Sequence, residues 1–183
     1  MLILASASTA RAALLRKAGI AFEIAPTRAR ELKGRGRTLR DAVLQNARRK
    51  AASAARRFPG RWILAADTMI EHRNRLYGKP RNRKAALDLL SRLAGSTHRL
   101  ATGMVLRRDS RRIERVVISR VTMRDLDRGG LGRIVRSNDP TRFAGGYSVR
   151  PKNDPLIARI DGSFTNVVGL PMEVVGPLVR KLA

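Results

Sequence analysis

The sequence predicts a one-domain α/β fold. Short apolar runs alternate with stretches of helical periodicity along the whole chain, neither a repeat nor a domain linker interrupts them, and 183 residues that are 43% hydrophobic suffice to bury one core.

Leu2 to Ala5 is short and apolar and reads as a strand. Ser6 to Ser8 turns the chain, Ser8 is placed to cap a helix, and Ala12, Leu15 and Ala18 recur at helical spacing until Gly19 stops it. Ile20 to Ala25 alternates weakly, as a second strand. Residues 26 to 36 hold Pro, Gly and five charged residues without a period, which predicts a mobile loop reaching over a site, with Glu31 as its one acid. Thr38 to Asp41 fits a capping box. Leu39, Val43, Ala47, Ala51, Ala55 and Phe58 then form one stripe of a long helix ending near Arg57, whose opposite face is polar and basic with Lys50 near its middle.

Trp62 to Ala66 is a buried-strand pattern that ends at Asp67-Thr68, and residues 69 to 77 form a short hairpin or an irregular link. Gly78-Lys79-Pro80 is a turn, and Ala85 to Leu93 a helix that Gly95 ends. Residues 97–107 and 112–123 are extended and joined by a charged turn, so an antiparallel hairpin is expected. A helix over 125–136, a Gly-rich turn over 143–147, a strand over 156–160 and a terminal helix over 171–182 complete the expectation.

Composition removes several chemistries. Without Cys, and with two isolated His, the chain makes no disulfide, zinc finger or thiol nucleophile, and any metal must be a hard ion held by oxygens. No apolar run approaches the ~18 residues of a membrane span, and the first residues lack the basic start of a secretory signal, so a cytoplasmic protein without membrane partners is expected. The formal charge of +25 favours polyanions. Only seven of the thirty-nine cations are Lys, and the Arg are scattered through every element, which weighs slightly towards a solvated basic surface over a nucleic-acid footprint.

Three features can build a phosphate site. Ser6 and Ser8 lead into a helix with Arg11 one turn in, offering free amides, hydroxyls and a guanidinium, although a serine there is more often only a cap. Asp67 stands where an apolar strand meets a loop, the usual ligand position of an open α/β sheet, and a carboxylate there binds Mg²⁺ or takes a proton from water; capping the next turn weighs equally on position alone. Lys50 and Lys79, the latter in a Gly-Lys-Pro turn, can present ammonium groups to phosphate or simply be solvated. No Gly-x4-Gly-Lys-Ser/Thr, Gly-x-Gly-x-x-Gly or Gly-x-Ser-x-Gly pattern occurs, which leaves kinase-like and esterase-like readings without support.

Together these pieces resemble the Maf family of nucleotide pyrophosphatases, in the wider ITPase-like group, from Leu2 to about Leu182. The family's opening Leu-Ala-Ser-x-Ser-Pro-Arg-Arg corresponds to Leu4-Ala-Ser6-Ala-Ser8-Thr9-Ala10-Arg11, its acid after the second strand to Glu31, its Lys-Ala to Lys50-Ala51, its Gly-Ala-Asp-Thr to Ala65-Ala66-Asp67-Thr68 and its Lys-Pro to Lys79-Pro80. Leu93-Ala-Gly95 with His98 and Thr102, Ala144-Gly-Gly-Tyr147, Gly162-Ser163 and Val167 to Pro171 continue the match. The resemblance implies an elongated mixed sheet with helices on its flanks, two lobes with a nucleotide cleft between them, Mg²⁺ or Mn²⁺ dependence and often a homodimer. It implies cleavage of a nucleoside triphosphate to monophosphate and pyrophosphate, linked to nucleotide-pool sanitation and septum control. Asp67 and Glu31 would hold the metal, Asp67 would help activate water, and Ser6, Ser8, Arg11, Lys50 and Lys79 would clamp the phosphates. Thr68 and Tyr147 are similar to the branch acting on dTTP and UTP. Thr9, Ala10, Ser148 and Arg150 depart from the family's usual Pro, Arg, Gly and Gln. The rival readings are a basic nucleic-acid-binding protein, for which seven aromatics offer little stacking, and a regulator that acts by contact.

Overall fold

A computed structural model describes residues 1–32 and 36–182 of the chain. The strands are β1 (Leu2–Leu4), β2 (Phe22–Ile24), β3 (Ile63–His72), β4 (Arg75–Tyr77), β5 (Thr97–Arg108), β6 (Arg111–Met123) and β7 (Ile157–Asp161). The helices are α1 (Thr9–Lys17), α2 (Leu39–Ala55), α3 (Arg83–Leu93), α4 (Arg128–Ser137), α5 (Phe164–Val168) and α6 (Met172–Arg180). All seven strands form one sheet in the order β2-β1-β3-β5-β6-β7, with β4 beside the far end of β3. β1 runs parallel to β2 and β3; the remaining pairings are antiparallel. The expected mixed α/β sheet is therefore present.

Local sequence sets most of these boundaries. Ser8 and Thr38 hold the extended conformation of an N-cap and accept from the amides of Arg11 and Asp41; the Thr38 hydroxyl also donates to the Asp41 carboxylate at 2.6 Å. Gly19 and Gly95 take the left-handed conformation that ends a helix. Arg73 and Asn74 both have positive φ, the two-residue turn that suits strand twist, so the uncertain stretch after Asp67 is a hairpin. Three differences have clear causes. α4 begins only at Arg128 because Asp127 caps it through the Gly130 amide at 2.6 Å. Ser163 caps a five-residue helix, α5, too short for a periodic signal. β3 does not end at Asp67 but runs on to His72, because β5 pairs with it from Ile63 to Glu71. Of the expected loop, Lys33 to Arg35 lie outside the described residues.

The period of two along β3 sends Ile63, Ala65, Asp67 and Met69 to the face covered by α2, and Leu64, Ala66, Thr68 and Ile70 to the other. That second face carries two separate cores. Leu4, Ala12, Leu15, Leu64, Met104 and Val175 fill one, under α1 and α6; Ile70, Leu90, Leu93, Leu100, Val121 and Leu131 fill the other, under α3 and α4. Two lobes thus share the long strands β3, β5 and β6. On the α2 face, Ala42, Ala47, Ala51 and Ala54 are fully buried, and these small side chains let the helix lie close to the sheet. Gly103 completes the fit: a Cβ there would stand 2.7 Å from the Val43 carbonyl carbon and 2.8 Å from the Leu44 nitrogen. Ala54 and Ala42, rather than the expected Ala55 and Phe58, line the innermost stripe. No helix among the described residues is long and apolar enough to cross a membrane.

The α3/α4 lobe also buries His98, 2% exposed, whose Nε2 shares a 2.6 Å hydrogen bond with the Tyr147 hydroxyl, while Nδ1 has no partner among the described residues. Burial pulls the imidazole down to about 4, with His72 adding repulsion, and pushes the Tyr147 hydroxyl up.

Two outcomes are expected. Gly103→Ala should destabilise the fold by about 1–3 kcal/mol, because its methyl meets helix backbone that cannot rotate away; the shift of the urea midpoint checks this. His98 binds a proton in the unfolded chain below about pH 6.5 but not in the folded chain until about pH 4, so stability should be level above pH 6.5 and fall as pH drops through that window, by up to ~1.4 kcal/mol per pH unit. His72, also lowered by burial and Arg73, acts in the same direction. Thermal melts from pH 7 to 5 should flatten in His98→Gln.

Candidate active site

β1 stops at Leu4, which pairs with Leu64, and β4 begins its pairing at Ile70. Between these two neighbours the edge of β3 is open, and a cleft of about 960 Å³ lies against it, within the size range of sites that enclose a small molecule. At an open edge, side chains from opposite faces of one strand reach one space. Asp67 enters from the α2 face and Thr68 from the other. The carboxyl end of β1 supplies Ser6, Ser8 and Arg11, the usual ligand end of a parallel strand. It is therefore the neighbouring strand that ends at the cleft, whereas Asp67 stands within a continuous one.

All seven residues expected from the sequence, Ser6, Ser8, Arg11, Glu31, Lys50, Asp67 and Lys79, line this cleft. Asp67 is 5% exposed. Its Oδ1 accepts from Lys50 Nζ at 2.6 Å and its Oδ2 from Asn46 Nδ2 at 2.9 Å, so both oxygens are held from adjacent turns of α2. Lys50 Nζ also lies 2.6 Å from Glu31 Oε1, placing one cation between two carboxylates. The Lys50 side chain, only 12% exposed, lines the cleft, so of its two readings the solvated one, suggested by its place on the face opposite the stripe, does not hold. Burial alone would raise the Glu31 carboxyl, but Lys50, with Lys79 and Arg11 behind it, outweighs burial and holds it below the usual carboxylate range.

Arg11 is 9% exposed and pinned at three of its N–H groups: Nε donates to the Gly169 carbonyl at 2.8 Å, Nη1 to Ser6 Oγ at 3.1 Å and Nη2 to Thr68 Oγ1 at 3.0 Å. One N–H remains on each terminal nitrogen for a ligand. Its burial draws the guanidinium pKa down, against the pull of Asp67 and Glu31. Thr102 Oγ1 donates to the Asn166 carbonyl at 3.2 Å, so in its 2.9 Å contact with Thr68 it must accept. The Thr68 hydroxyl therefore donates to Thr102 and keeps its lone pairs towards Arg11. Asn166, fully buried, continues this chain to Ser119 at 2.9 Å. Ser6 Oγ accepts from both Arg11 and the Ser8 amide, which leaves its proton to give.

Lys79 forms no hydrogen bond or ion pair with a described residue, and burial, with repulsion from Arg11, lowers its pKa. Sequence reading missed Asn46, although a polar residue within an alanine stripe, one turn before Lys50, was a signal. It also missed Arg142, whose Nη2 reaches Thr9 Oγ1 at 2.9 Å; nothing in the chain's order connects those positions.

A family model described as "Maf-like protein" matches residues 1–182. A Myxococcus xanthus protein described as a dTTP/UTP pyrophosphatase is 40% identical over 182 residues, 98% of this chain and 92% of that protein. A protein of the same description from Syntrophus aciditrophicus is 38% identical over 176 residues, 95% and 86% of the two chains. The structure of a HAM1 protein from Coxiella burnetii shares the fold, with a TM-score of 0.50 at 14% identity over 99% of this chain and 97% of that one. Close agreement in sequence over nearly the whole length, together with a cleft that collects all seven expected site residues, has one consequence: this chain belongs to the Maf-like protein family.

Proposed function

We propose that this chain is a cytoplasmic nucleoside triphosphate pyrophosphatase, one domain over its whole length, which converts dTTP and UTP to the monophosphate and pyrophosphate. The observation that carries the reading is the buried Asp67 carboxylate, fixed by Lys50 and Asn46 beside Glu31, on the wall of a cleft otherwise rich in cations. Descriptions of the relatives as dTTP/UTP pyrophosphatases support the substrates. One sheet running through both lobes supports a single domain, and a nucleoside triphosphate substrate suits the cytoplasm.

Asp67 and Glu31 suit a divalent cation. Their oxygens converge on one small positive group, here the Lys50 ammonium, and no group of three or more His, Asp or Glu surrounds them among the described residues. That donor set fits Mg²⁺ or Mn²⁺, hard ions that keep waters and phosphate oxygens beside one or two carboxylates. When bound, such an ion neutralises phosphate charge and lowers the pKa of water.

The chain's own groups then divide the reaction between them. Asp67 takes a proton from the water whose oxygen attacks the α-phosphorus, while Asn46 keeps the carboxylate aimed by holding Oδ2. Arg11, through its two remaining N–H groups, Ser6, through its free hydroxyl proton, and the Lys79 ammonium bind the phosphate oxygens. The bond from the α-phosphorus to the α,β-bridging oxygen breaks, and these cations stabilise the electron pair that leaves on pyrophosphate. Lys50 keeps one ammonium proton on Asp67 or Glu31 and offers another to phosphate.

Asp67→Asn should keep the fold but lower pyrophosphate release from dTTP and UTP by about 10²-fold or more, and a chelator should stop release by the unaltered enzyme. Release measured from a panel of nucleoside triphosphates with Mg²⁺ or Mn²⁺ checks both. Near-normal turnover by a folded Asp67→Asn would remove Asp67 from the chemistry.

A further inference from the structure

Arg142 crosses the cleft. It closes a short helical turn over Pro140 to Arg142, next to the core of the α3/α4 lobe, and its side chain spans to Thr9, the first residue of α1 in the other lobe. The two residues are 133 positions apart, and Arg142 lines the same cleft as Arg11, Lys50 and Lys79, on the wall opposite α1. Ala10, the cleft residue next to Thr9, adds only a methyl there.

The contact has an unusual imbalance. A permanently charged, solvent-exposed guanidinium is extended over a cavity to meet a neutral hydroxyl at 2.9 Å. The acid on its own turn, Asp139, attracts Arg142 through space but takes its hydrogen bonds from the Thr141 amide at 3.1 Å and hydroxyl at 2.6 Å, and forms no close ion pair with the guanidinium. A guanidinium bonded to a neutral oxygen in water is held weakly, whereas the same group on a phosphate makes charge-assisted, often paired hydrogen bonds. An arginine so placed exchanges partners once a phosphate enters below it.

The geometry points to Arg142 as a further substrate-binding residue. It leaves Thr9 and closes onto the β- and γ-phosphates, which later depart as pyrophosphate, from the lobe opposite to Arg11. This rests on the pyrophosphatase reading above and adds to it: the substrate draws the lobes together through its phosphate tail, and release of pyrophosphate requires Arg142 to let go.

Inorganic pyrophosphate binding, measured by calorimetry on the full chain, tests this, with nucleoside monophosphate binding alongside. Arg142→Ala should weaken pyrophosphate by about tenfold or more and change UMP binding less than about twofold. Thr9→Val, which removes only the resting partner, should bind pyrophosphate as tightly as the unaltered chain or more tightly. Arg142→Lys, which keeps the charge without the fork, should fall between. Unchanged pyrophosphate binding in Arg142→Ala, or an equal loss in Thr9→Val, would overturn the inference, the second result marking the contact as a structural tie between lobes. Turnover of dTTP and UTP measured beside it separates the two readings. Arg142-dependent pyrophosphate binding without turnover would sink the activity alone, and turnover with Arg142-independent binding would sink the contact alone.

Discussion

The approach of α2 to Gly103 governs the site. Gly103 stands directly across the sheet from Asp67, and the backbone of Val43 and Leu44 rests where any side chain at 103 would be. Asn46 and Lys50 lie one and two turns further along the same helix, so the depth of that contact fixes how far their side chains stand from Asp67. Buried alanines along α2 serve the same end. A buried carboxylate is tolerated only when charged and hydrogen-bonding partners replace its water, and here one helix delivers both. Precision in the site is thus a packing property of a helix on a sheet.

A second layer of order comes from the opposite face of the same strand. Arg11, Thr68, Thr102 and the Asn166 carbonyl form a directed chain of hydrogen bonds, both hydroxyl protons accounted for, and Gly169, at a φ of +119°, turns its carbonyl onto Arg11. A guanidinium locked by three protein acceptors loses little freedom when it meets a phosphate, which is what preorganisation means energetically. The two faces meet only because β1 ends early and β4 starts late, leaving four or so residues of β3 without a neighbour on that side. The open edge is therefore a consequence of strand length, and the cleft between lobes follows from it.

The charge of the chain takes a different meaning in this setting. At +25 the surface draws anions from every side, and some of its arginines are tied into exposed pairs such as Arg48 and Arg112 with Glu114 or Arg99 with Glu71. Pairs of that kind contribute little to stability. Within the cleft the balance is finer: Lys50, Lys79 and Arg11 together hold Glu31 ionised, while Lys79 stays unpaired among the described residues. A triphosphate entering there meets the exposed Lys79 and Glu31 before the buried Arg11 and Asp67.

Sequence alone determined most of the elements, the caps of α1 and α2 and seven of the residues that line the cleft. Ser8 and Thr38 as caps, the α2 stripe, the β5–β6 hairpin and the set Ser6, Ser8, Arg11, Glu31, Lys50, Asp67 and Lys79 were legible because each depends on neighbours close in the chain or on an ordered motif. Asp67's place inside a strand, the inward turn of Lys50, the hold of Asn46 on the carboxylate and the reach of Arg142 to Thr9 were decided only by the folded chain. Periodicity reports which face a residue takes, but not which neighbouring strand has ended, and it is strand endings and a helix resting on Gly103 that bring distant side chains into one space.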